Sequence, residues 1–454
     1  GAGPGRRAHP AAGRAGRGGG RVIVGVLLLI QASAPVPSAT LAPVSVPRVT
    51  LEQAISRATR LDPNYVQALG QVDNAEWGRR AALAVFVLPS ITASLDATKY
   101  STEFFNIGTG RNQAEAVNAT LEGRYDLFSA QKFTDLSRTR AELESAQAGE
   151  LEQRFRTALL VESDYYAVLQ NAELARVAGD RTQRAEEGLG VARARVVSGA
   201  AVQSDSLQLV LELTQARTEQ LRRDAALTVA RLQLGRRIGE SGPVDAEPVD
   251  TTEAPQLPLS VDQAVEMAVT QGPQYRAARA NEQAASAFLK GQRGQYLPRF
   301  TLIGDHFRFD DSFFPGARTV NSIALNVSLP IWDNGRREIT ISQARVNRDV
   351  SRAIREDLER AARPDVTAAV EAYATARATT ELSQTGVLVA RENYRVQDSR
   401  YRAGATTILD VLDAQIRLTQ SEADLVVSRY AARLALAGLE AILGRRLFTN
   451  RDVP

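Results

Sequence analysis

Cysteine is absent from the 454-residue sequence, and histidine occurs only twice, as His9 and His306. The lack of thiols excludes a cysteine nucleophile, a disulfide framework, a cysteine-ligated metal and a lipid-modified N-terminal cysteine. Two histidines so far apart do not suggest a histidine-ligated metal site. Aromatic residues make up 6% of the chain, so large aromatic cores are not expected.

The sequence also lacks the motifs of common enzymes. It contains no phosphate-binding loop, no nucleophile motif and no metal-binding cluster. A glycine-rich stretch, residues 16–20, precedes no strand–helix unit of the kind that binds nucleotides. Carboxylates are scattered along helical segments without a convergent pair, so an exported hydrolase has little support. We therefore expect no enzyme, no catalytic residue, no cofactor and no bound metal.

The formal net charge of +3 arises from the N-terminal segment. Residues 1–34 contain five arginines and no acidic residue, so the remaining chain is near neutral and has no global field to attract nucleic acid. Within this segment, Arg21 is followed by an apolar run over residues 22–30 and then by small residues up to Ala34. That order predicts a secretory signal peptide over residues 1–34, cleaved near Ala34. The run is too short to span a bilayer, and an interfacial or buried helix is the alternative.

The strongest internal pattern is a repeat. Residues 50–55 (TLEQAI) reappear as residues 260–265 (SVDQAV), and Gly199 precedes Asp205 by the same spacing as Gly404 precedes Asp410. Several matches in the same order indicate duplication. The residues between the copies are rich in Pro, Thr, Glu and Gly, which is typical of a linker. We predict an extended linker over 35–49, a first repeat over 50–239, a linker over 240–258, a second repeat over 259–446 and a tail over 447–454.

Each repeat contains a helical segment too long for a compact domain. No proline occurs between residues 90 and 242, and residues 130–198 are rich in good helix formers. A helix of that span is on the order of 100 Å long. In the second repeat, Pro364 predicts a kink or a break. Heptad spacing predicts coiled-coil packing, with an ordinary buried stripe as the alternative; the heptad residues are Val411, Leu418, Leu425, Ala432 and Leu439.

Each repeat also carries a hairpin pattern. Apolar and polar residues alternate in residues 116–128 and again in residues 322–331, and weaker strands precede them at 90–100 and 299–309. The hairpins thus cover about residues 90–128 and 299–332. The loops between the strands carry exposed aromatics, which are Phe104, Phe105, Phe313 and Phe314.

These strands are about as long as a tilted membrane strand. A soluble sheet with one wet face is the alternative. Four strands cannot close on themselves, and lipid does not tolerate open edges, so membrane strands would have to be pooled by several chains. Three chains would give twelve strands, an even number within the known range.

These features resemble the TolC family of outer-membrane efflux proteins over roughly residues 50–446. The most specific matches are residues 329–336 (LPIWDNGR) and residues 400–404 (RYRAG) running into 409–414 (LDVLDA). The resemblance implies a mainly α fold with a membrane β-barrel part. Very long antiparallel helices would form a periplasmic tunnel, and four β-strands per protomer would contribute to a trimeric twelve-stranded barrel. The implied location is the outer membrane of a Gram-negative bacterium, with a long periplasmic extension.

The resemblance also implies sites at a periplasmic tip, where the helix pairs turn and bind an adaptor protein. A tight turn that needs a left-handed glycine explains the two glycines equally well. The implied adaptor contacts are Ser198, Gly199, Ala200, Ala403, Gly404 and Ala405. Asp410 and Asp413 share a helix face, and the resemblance places them in anionic rings of a periplasmic gate. A solvated first turn of a helix is the alternative.

Two further gate residues, Tyr401 and Asp205, match a latch that holds the tip closed in this family. The arginine that often completes the latch lies two residues after the glycine, where this chain has Thr406. Arg400 or Arg402 is then the candidate substitute.

The functional prediction is a passive exit duct of a tripartite efflux or type I secretion system. The implied partners are two further copies of the chain, a periplasmic adaptor protein, an inner-membrane pump of RND or ABC type and outer membrane lipid, with no nucleic acid. The alternative is an exported coiled-coil scaffold of the cell envelope without a pore. Heat-modifiable trimers in the outer membrane would favour the duct, and a soluble periplasmic monomer would favour the scaffold.

Overall fold

The computed structural model of the protein describes residues 46–107, 110–249, 255–310 and 318–448. The predicted signal peptide, Phe313, Phe314 and the tail from residue 449 lie outside the described residues, as do parts of both predicted linkers.

The helices and strands of the two repeats follow one another in the same order. The first repeat comprises α1 (Leu51–Leu61), α2 (Pro63–Val87), β2 (Ser90–Asn106), β3 (Arg111–Phe128), α3 (Ala130–Val197) and α4 (Gln203–Arg237); β1 (Arg48–Val49) precedes it and β4 (Asp245–Ala246) follows it. The second comprises α5 (Val261–Gln271), α6 (Pro273–Arg293), a 3-10 turn (Gly294–Tyr296), β5 (Arg299–Asp310), β6 (Arg318–Ser328), α7 (Arg336–Arg402) and α8 (Ile408–Leu443).

Both repeats begin with the same helix cap. The Thr50 hydroxyl accepts a hydrogen bond from the Gln53 amide at 3.2 Å, and the Gln53 side chain accepts one from the Thr50 amide at 3.4 Å. Ser260 and Gln263 form the same reciprocal pair at 3.3 and 2.9 Å. Such capping boxes satisfy backbone donors that a helix start leaves free. The matching residues at the start of the two repeats therefore form the same structure.

The long helices match their prediction closely. α3 has 68 residues and α7 has 67, and the glycines within α3 do not interrupt it. Of the kink or break predicted at Pro364, the break is wrong, because α7 continues through this residue. Pro364 is exposed, so water can reach the backbone carbonyl that loses its helical partner there. No helix within the described ranges is both long and apolar enough to cross a membrane.

The heptad positions of α8 lie on its packed side. Four of the five predicted residues are buried, and these are Val411, Leu418, Ala432 and Leu439. The largest core cluster lies where α3 meets α1, α4 and α8, around Tyr165, Tyr166 and Leu234. A fully buried leucine such as Leu234 contributes roughly 1.5–3 kcal/mol.

A short parallel sheet borders this core and was not predicted. Arg48 pairs with Asp245, and Val49 pairs with Ala246. The Tyr165 hydroxyl donates to the carbonyl oxygen of Glu247 at 2.7 Å and so fixes the second strand to α3. Both predicted linkers therefore contain a strand, and the count of four strands in the chain is corrected to six in its described part.

The other four strands form one antiparallel sheet in the order β2-β3-β5-β6. β2 extends to Asn106, so Phe104 and Phe105 lie in a strand and not in a loop. β6 ends at Ser328, earlier than predicted. Pro330 has no amide hydrogen to donate to a neighbouring strand, so the second hairpin stops short of residue 332.

The sheet has one apolar and one polar face near the helices. The apolar face includes one row across all four strands, formed by Ile91, Gly123, Gly304 and Ile323. The next row, on the opposite face, is formed by Thr92, Glu122, Asp305 and Ser322. Ile323 is 85% exposed, so the apolar face is uncovered in the single chain.

Candidate functional site

Both long helix pairs reverse direction at a glycine in the left-handed conformation. The φ angle is 75° at Gly199 and 77° at Gly404. In each turn, the residue after the glycine donates its amide to a carbonyl five residues earlier: Ala200 to Arg195 and Ala405 to Arg400, both at 2.8 Å. A side chain is strained at such φ values, so the turn itself accounts for both glycines.

The six residues predicted to contact an adaptor all lie in these two turns. Ser198, Gly199, Ala200, Ala403, Gly404 and Ala405 are all exposed. The structure brings these residues together in two neighbouring turns. Side chains of α3 and α4 pack against side chains of α7 and α8 in one buried cluster at this end. Their role in adaptor binding stays a prediction.

One arginine, Arg195, joins the two turns. Its guanidinium donates to the carbonyl oxygen of Tyr401 and, at 3.2 Å, to that of Ala200. It also lies 4.5 Å from the centre of the Tyr401 ring. Both carbonyls are near the C-terminal end of a long helix, where a cation is favoured by the helix dipole. Arg195 therefore stabilises the ends of α3 and α7 together.

Tyr401 and Asp205 are in contact, as the predicted latch requires. The Tyr401 hydroxyl donates to an Asp205 carboxylate oxygen at 3.5 Å, which is a long hydrogen bond. Tyr401 is 3% exposed. Burial raises the pKa of Tyr401, and the Asp205 charge raises it further while Arg195 lowers it. The phenol therefore stays protonated and able to donate at neutral pH.

An arginine that contacts Tyr401 lies in the first repeat, whereas the predicted candidates Arg400 and Arg402 lie in the second. Arg402 pairs with Asp398 at 2.8 Å, and Thr406 donates to Asp410 at 2.6 Å. The residue that contacts Tyr401 is Arg195, in the last turn of α3. A basic residue at the end of a long helix is the one sequence feature that could have indicated it.

Asp410 is tightly hydrogen bonded although it is exposed. Its carboxylate accepts from the hydroxyls of Thr406 and Thr407 at 2.6 and 2.8 Å, and from the Thr407 amide at 3.1 Å. The hydrogen bond from Thr406 and then those from Thr407 hold the pKa of Asp410 below its usual value. Asp410 thus caps α8 and keeps its negative charge.

Asp413 lies one turn further along α8 and is also exposed. It accepts a hydrogen bond from Arg417 at 2.8 Å, in an ion pair whose two side chains are both mostly in solvent. Such pairs contribute little to stability, and Arg417 can swing away without cost to the fold. The two aspartates therefore share an exposed face, and their assignment to a gate stays a prediction.

Buried ion pairs connect the helices above the turns. Arg181 on α3 forms two hydrogen bonds with Glu212 on α4, at 2.8 and 3.0 Å, and Gln415 on α8 donates to the same carboxylate at 3.3 Å. Glu212 is buried, and its charge is thus satisfied by both neighbours. No group of three or more His, Asp or Glu residues in the described ranges is placed to hold a metal ion.

Several known proteins are similar to this chain in sequence or in fold. The family profile described as "Outer membrane efflux protein" matches residues 264–445. The chain is 25% identical over 282 residues to the outer membrane efflux protein BepC of Brucella suis, which covers 59% of the chain and 60% of BepC. It is 26% identical over 430 residues to the pyoverdine export outer membrane protein OpmQ of Pseudomonas aeruginosa, covering 87% of the chain and 85% of OpmQ.

The match therefore spans less than two thirds of BepC but most of OpmQ. Among solved structures, the chain is similar to the outer membrane protein VceC of Vibrio cholerae, with a TM-score of 0.73 and 18% identity over 88% of the chain and 97% of VceC. At this identity the likeness establishes the fold, which is helix-rich and shared with TolC-like channels.

Proposed function

We propose that this chain, a member of the outer membrane efflux protein family, is one protomer of a trimeric exit duct. The duct would cross the outer membrane as a shared twelve-stranded barrel and continue as a helical tunnel in the periplasm. It would passively conduct substrates that an inner-membrane pump of RND or ABC type expels through a periplasmic adaptor. The proposal rests on one observation: within the described residues, a single chain leaves the apolar face and both edges of its large sheet, and one side of α7, exposed.

The sheet supports assembly from several copies. β2 and β6 each pair with one strand, so each leaves one edge open within the described residues. The apolar face between these edges is exposed, including Ile323 and Leu325. Open edges cannot lie in lipid, because their amide and carbonyl groups would lose water without gaining partners. Neighbouring copies would supply those partners and close the sheet.

The duplication indicates which helices would meet between copies. α6 packs against α3, where the Ser145 hydroxyl donates to Asn281 at 2.8 Å. The repeat places Val350 of α7 at the position of Ser145 and Gln71 of α2 at the position of Asn281. Both are exposed, and Val350 is 53% exposed. The side of α7 that faces solvent is thus the side that α3 buries, and α2 of a second copy would cover it.

The same relationship holds nearer the tip. Arg184 on α3 pairs with Glu422 on α8 at 3.3 Å. The position on α7 that matches Arg184 is Val389, which is 65% exposed. Other apolar residues are exposed on α7 and on α4, among them Leu382, Val396, Leu211 and Leu221. α7 of one copy would therefore pack against α2 and α4 of the next, which is a head-to-tail contact that closes into a ring.

The tip would then form the gate and the adaptor site. In a ring of three copies, Asp410 and Asp413 would each occur three times around the axis, and such rings favour cations and exclude anions. Arg195, Tyr401 and Asp205 would hold the tip closed. The exposed turns around Gly199 and Gly404 would receive the adaptor.

Single-channel recording of the purified protein in planar bilayers tests the proposal. We expect cation-selective conductance that Asp410→Asn with Asp413→Asn makes less selective. Asp424→Asn, a charge loss at an exposed position further along α8, is the matched control and should leave selectivity unchanged. A monomer in the soluble periplasmic fraction without conductance would contradict the duct and favour the scaffold.

A further inference from the structure

The first repeat contains a buried cation where the sheet meets the long helix. Lys132 is 8% exposed although it lies in the first turn of α3. Its ammonium donates to the carbonyl oxygen of Asp126 at 2.8 Å. It also lies 4.9 Å from the centre of the Phe86 ring and 4.3 Å from that of Tyr125. This cation therefore contacts the end of α2, the end of β3 and the start of α3.

The second repeat contains the same arrangement around Arg337, which is 6% exposed. Its guanidinium donates to the carbonyl oxygen of Ile331 at 3.1 Å and lies 4.6 Å from the centre of the Tyr296 ring. Asp333 accepts from the Arg337 amide at 3.2 Å, and the same carboxylate oxygen lies 3.2 Å from Nε of the guanidinium, so Arg337 also has an acidic partner in this segment. In the first repeat the Ser129 hydroxyl accepts from the Lys132 amide at 3.4 Å. In both repeats, therefore, a side chain just before the helix also binds the backbone amide of the buried cationic residue.

The two sites correspond through the duplication. The spacing from Lys132 to Arg337 equals the spacing from Gly199 to Gly404, and the spacing from Asp126 to Ile331 is the same. Phe86 and Tyr296 are related as Pro63 and Pro273 are, at the starts of α2 and α6. Each cation thus uses the matching carbonyl and the matching ring of its own repeat.

The local backbone differs between the two sites. In the first repeat the strand continues to Phe128, and only Ser129 separates it from α3. In the second repeat β6 ends at Ser328, and an irregular segment precedes α7. The contact is therefore not a by-product of one loop conformation, since two different connections produce it.

We propose that Lys132 and Arg337 are positioning residues that fasten the first turn of each long helix to the end of its strand and to the preceding helix. The sheet and the helices would then hold a fixed direction relative to one another. A buried cation is suited to this, because it must keep its hydrogen bond or leave a charge unsatisfied, and because rings attract it more strongly where water is excluded. The inference concerns the fold and does not depend on the proposed duct.

Hydrogen–deuterium exchange of the full-length protein, purified in detergent, tests the assignment. Lys132→Met removes the charge and keeps a long apolar side chain, and Arg337→Met does the same in the second repeat. We expect amides of residues 130–137 to exchange about tenfold faster in Lys132→Met, and those of residues 336–343 in Arg337→Met, because each variant loses a charge-assisted hydrogen bond. Exchange in residues 426–440, inside the core, should be unchanged.

The control is Arg336→Met, which removes an exposed charge next to Arg337 and should leave exchange unchanged. The exchanged pair Lys132→Arg with Arg337→Lys keeps both cations and should restore protection. If a methionine variant does not fold, Phe86→Leu and Tyr296→Leu remove only the ring and should still speed exchange at their own junction. Unchanged exchange in the variants, or equal acceleration in every helix, would overturn the assignment.

Discussion

The guanidinium of Arg195, on α3, lies 4.5 Å from the centre of the Tyr401 ring on α7. The same guanidinium donates a hydrogen bond to the Tyr401 carbonyl oxygen. The two residues belong to different repeats and are 206 positions apart. One side chain therefore holds together the ends of the two helix pairs in a single chain.

Arg195→Ala is expected to loosen the tip. It removes hydrogen bonds to two carbonyls, and losing one charge-assisted bond of this kind costs about 1.5–3 kcal/mol. If the tip is the gate, the ratio of open to closed time should rise about tenfold or more, as measured by single-channel recording.

The control for this change is Arg193→Ala, an exposed position on the same helix. It should leave the open fraction unchanged. Equal effects of the two substitutions would show that the charge of α3, and not the contact with Tyr401, controls the tip.

The pH dependence of ion selectivity should report the hydrogen bonds of Asp410. Its pKa lies below the usual value because Thr406, and then Thr407, donate to the charged carboxylate. In an Asp413→Asn background, the selectivity due to Asp410 should be present at neutral pH and fall only below about pH 3.9, the ordinary aspartate pKa.

Thr406→Val removes the hydroxyl that lowers the pKa of Asp410 most, while it keeps the shape of the side chain. The midpoint of the selectivity loss should then move to higher pH, as read from reversal potentials across a salt gradient. A midpoint that does not move would mean that the Thr406 hydroxyl does not stabilise the charge.

Arg446→Met is expected to destabilise the fold. Arg446 bonds Glu162 at 2.6 Å and Glu440 at 2.7 Å, and both glutamates are 1% exposed. The substitution leaves two buried carboxylates without this partner, and breaking a buried pair costs about 3–5 kcal/mol. Thermal unfolding should show a lower midpoint, whereas Arg445→Met, at the exposed neighbouring position, should unfold near the wild type. Similar midpoints for the two variants would refute this role.

The long helices and the hairpins could be predicted because their signals are local. The predicted helix over residues 130–198 differs by one residue from the observed end at Val197, since composition and the lack of proline favour helix throughout. The pairing of Val49 with Ala246 could not be predicted. Strands of two residues have no periodicity, and they form because Tyr165 and the surrounding core provide a surface for them.

The site was only partly predictable for a related reason. Gly199 and Gly404 could be found because a left-handed turn requires glycine wherever it occurs. The contacts of Arg195 and Lys132 could not be predicted, because they are made with residues distant in the sequence or in another secondary-structure element. Pro364 shows the reverse case. Proline locally favours a helix break, but α7 continues through it because α7 packs against α5, α6 and α8.

The central claim, that copies of this chain close into a ring of three, is tested most directly by cysteine cross-linking between Gln71 and Val350. The sequence has no native cysteine, so Gln71→Cys with Val350→Cys adds the only thiols. Asn281→Cys with Ser145→Cys places thiols at the matching contact inside one chain and is the control for geometry.

In intact outer membranes, the account predicts that oxidation of the Gln71→Cys, Val350→Cys protein gives covalent dimers and trimers and nothing larger. The control pair should cross-link within the monomer. If the control pair is oxidised while the Gln71→Cys, Val350→Cys protein stays monomeric, or forms a ladder beyond three, the trimeric duct is contradicted.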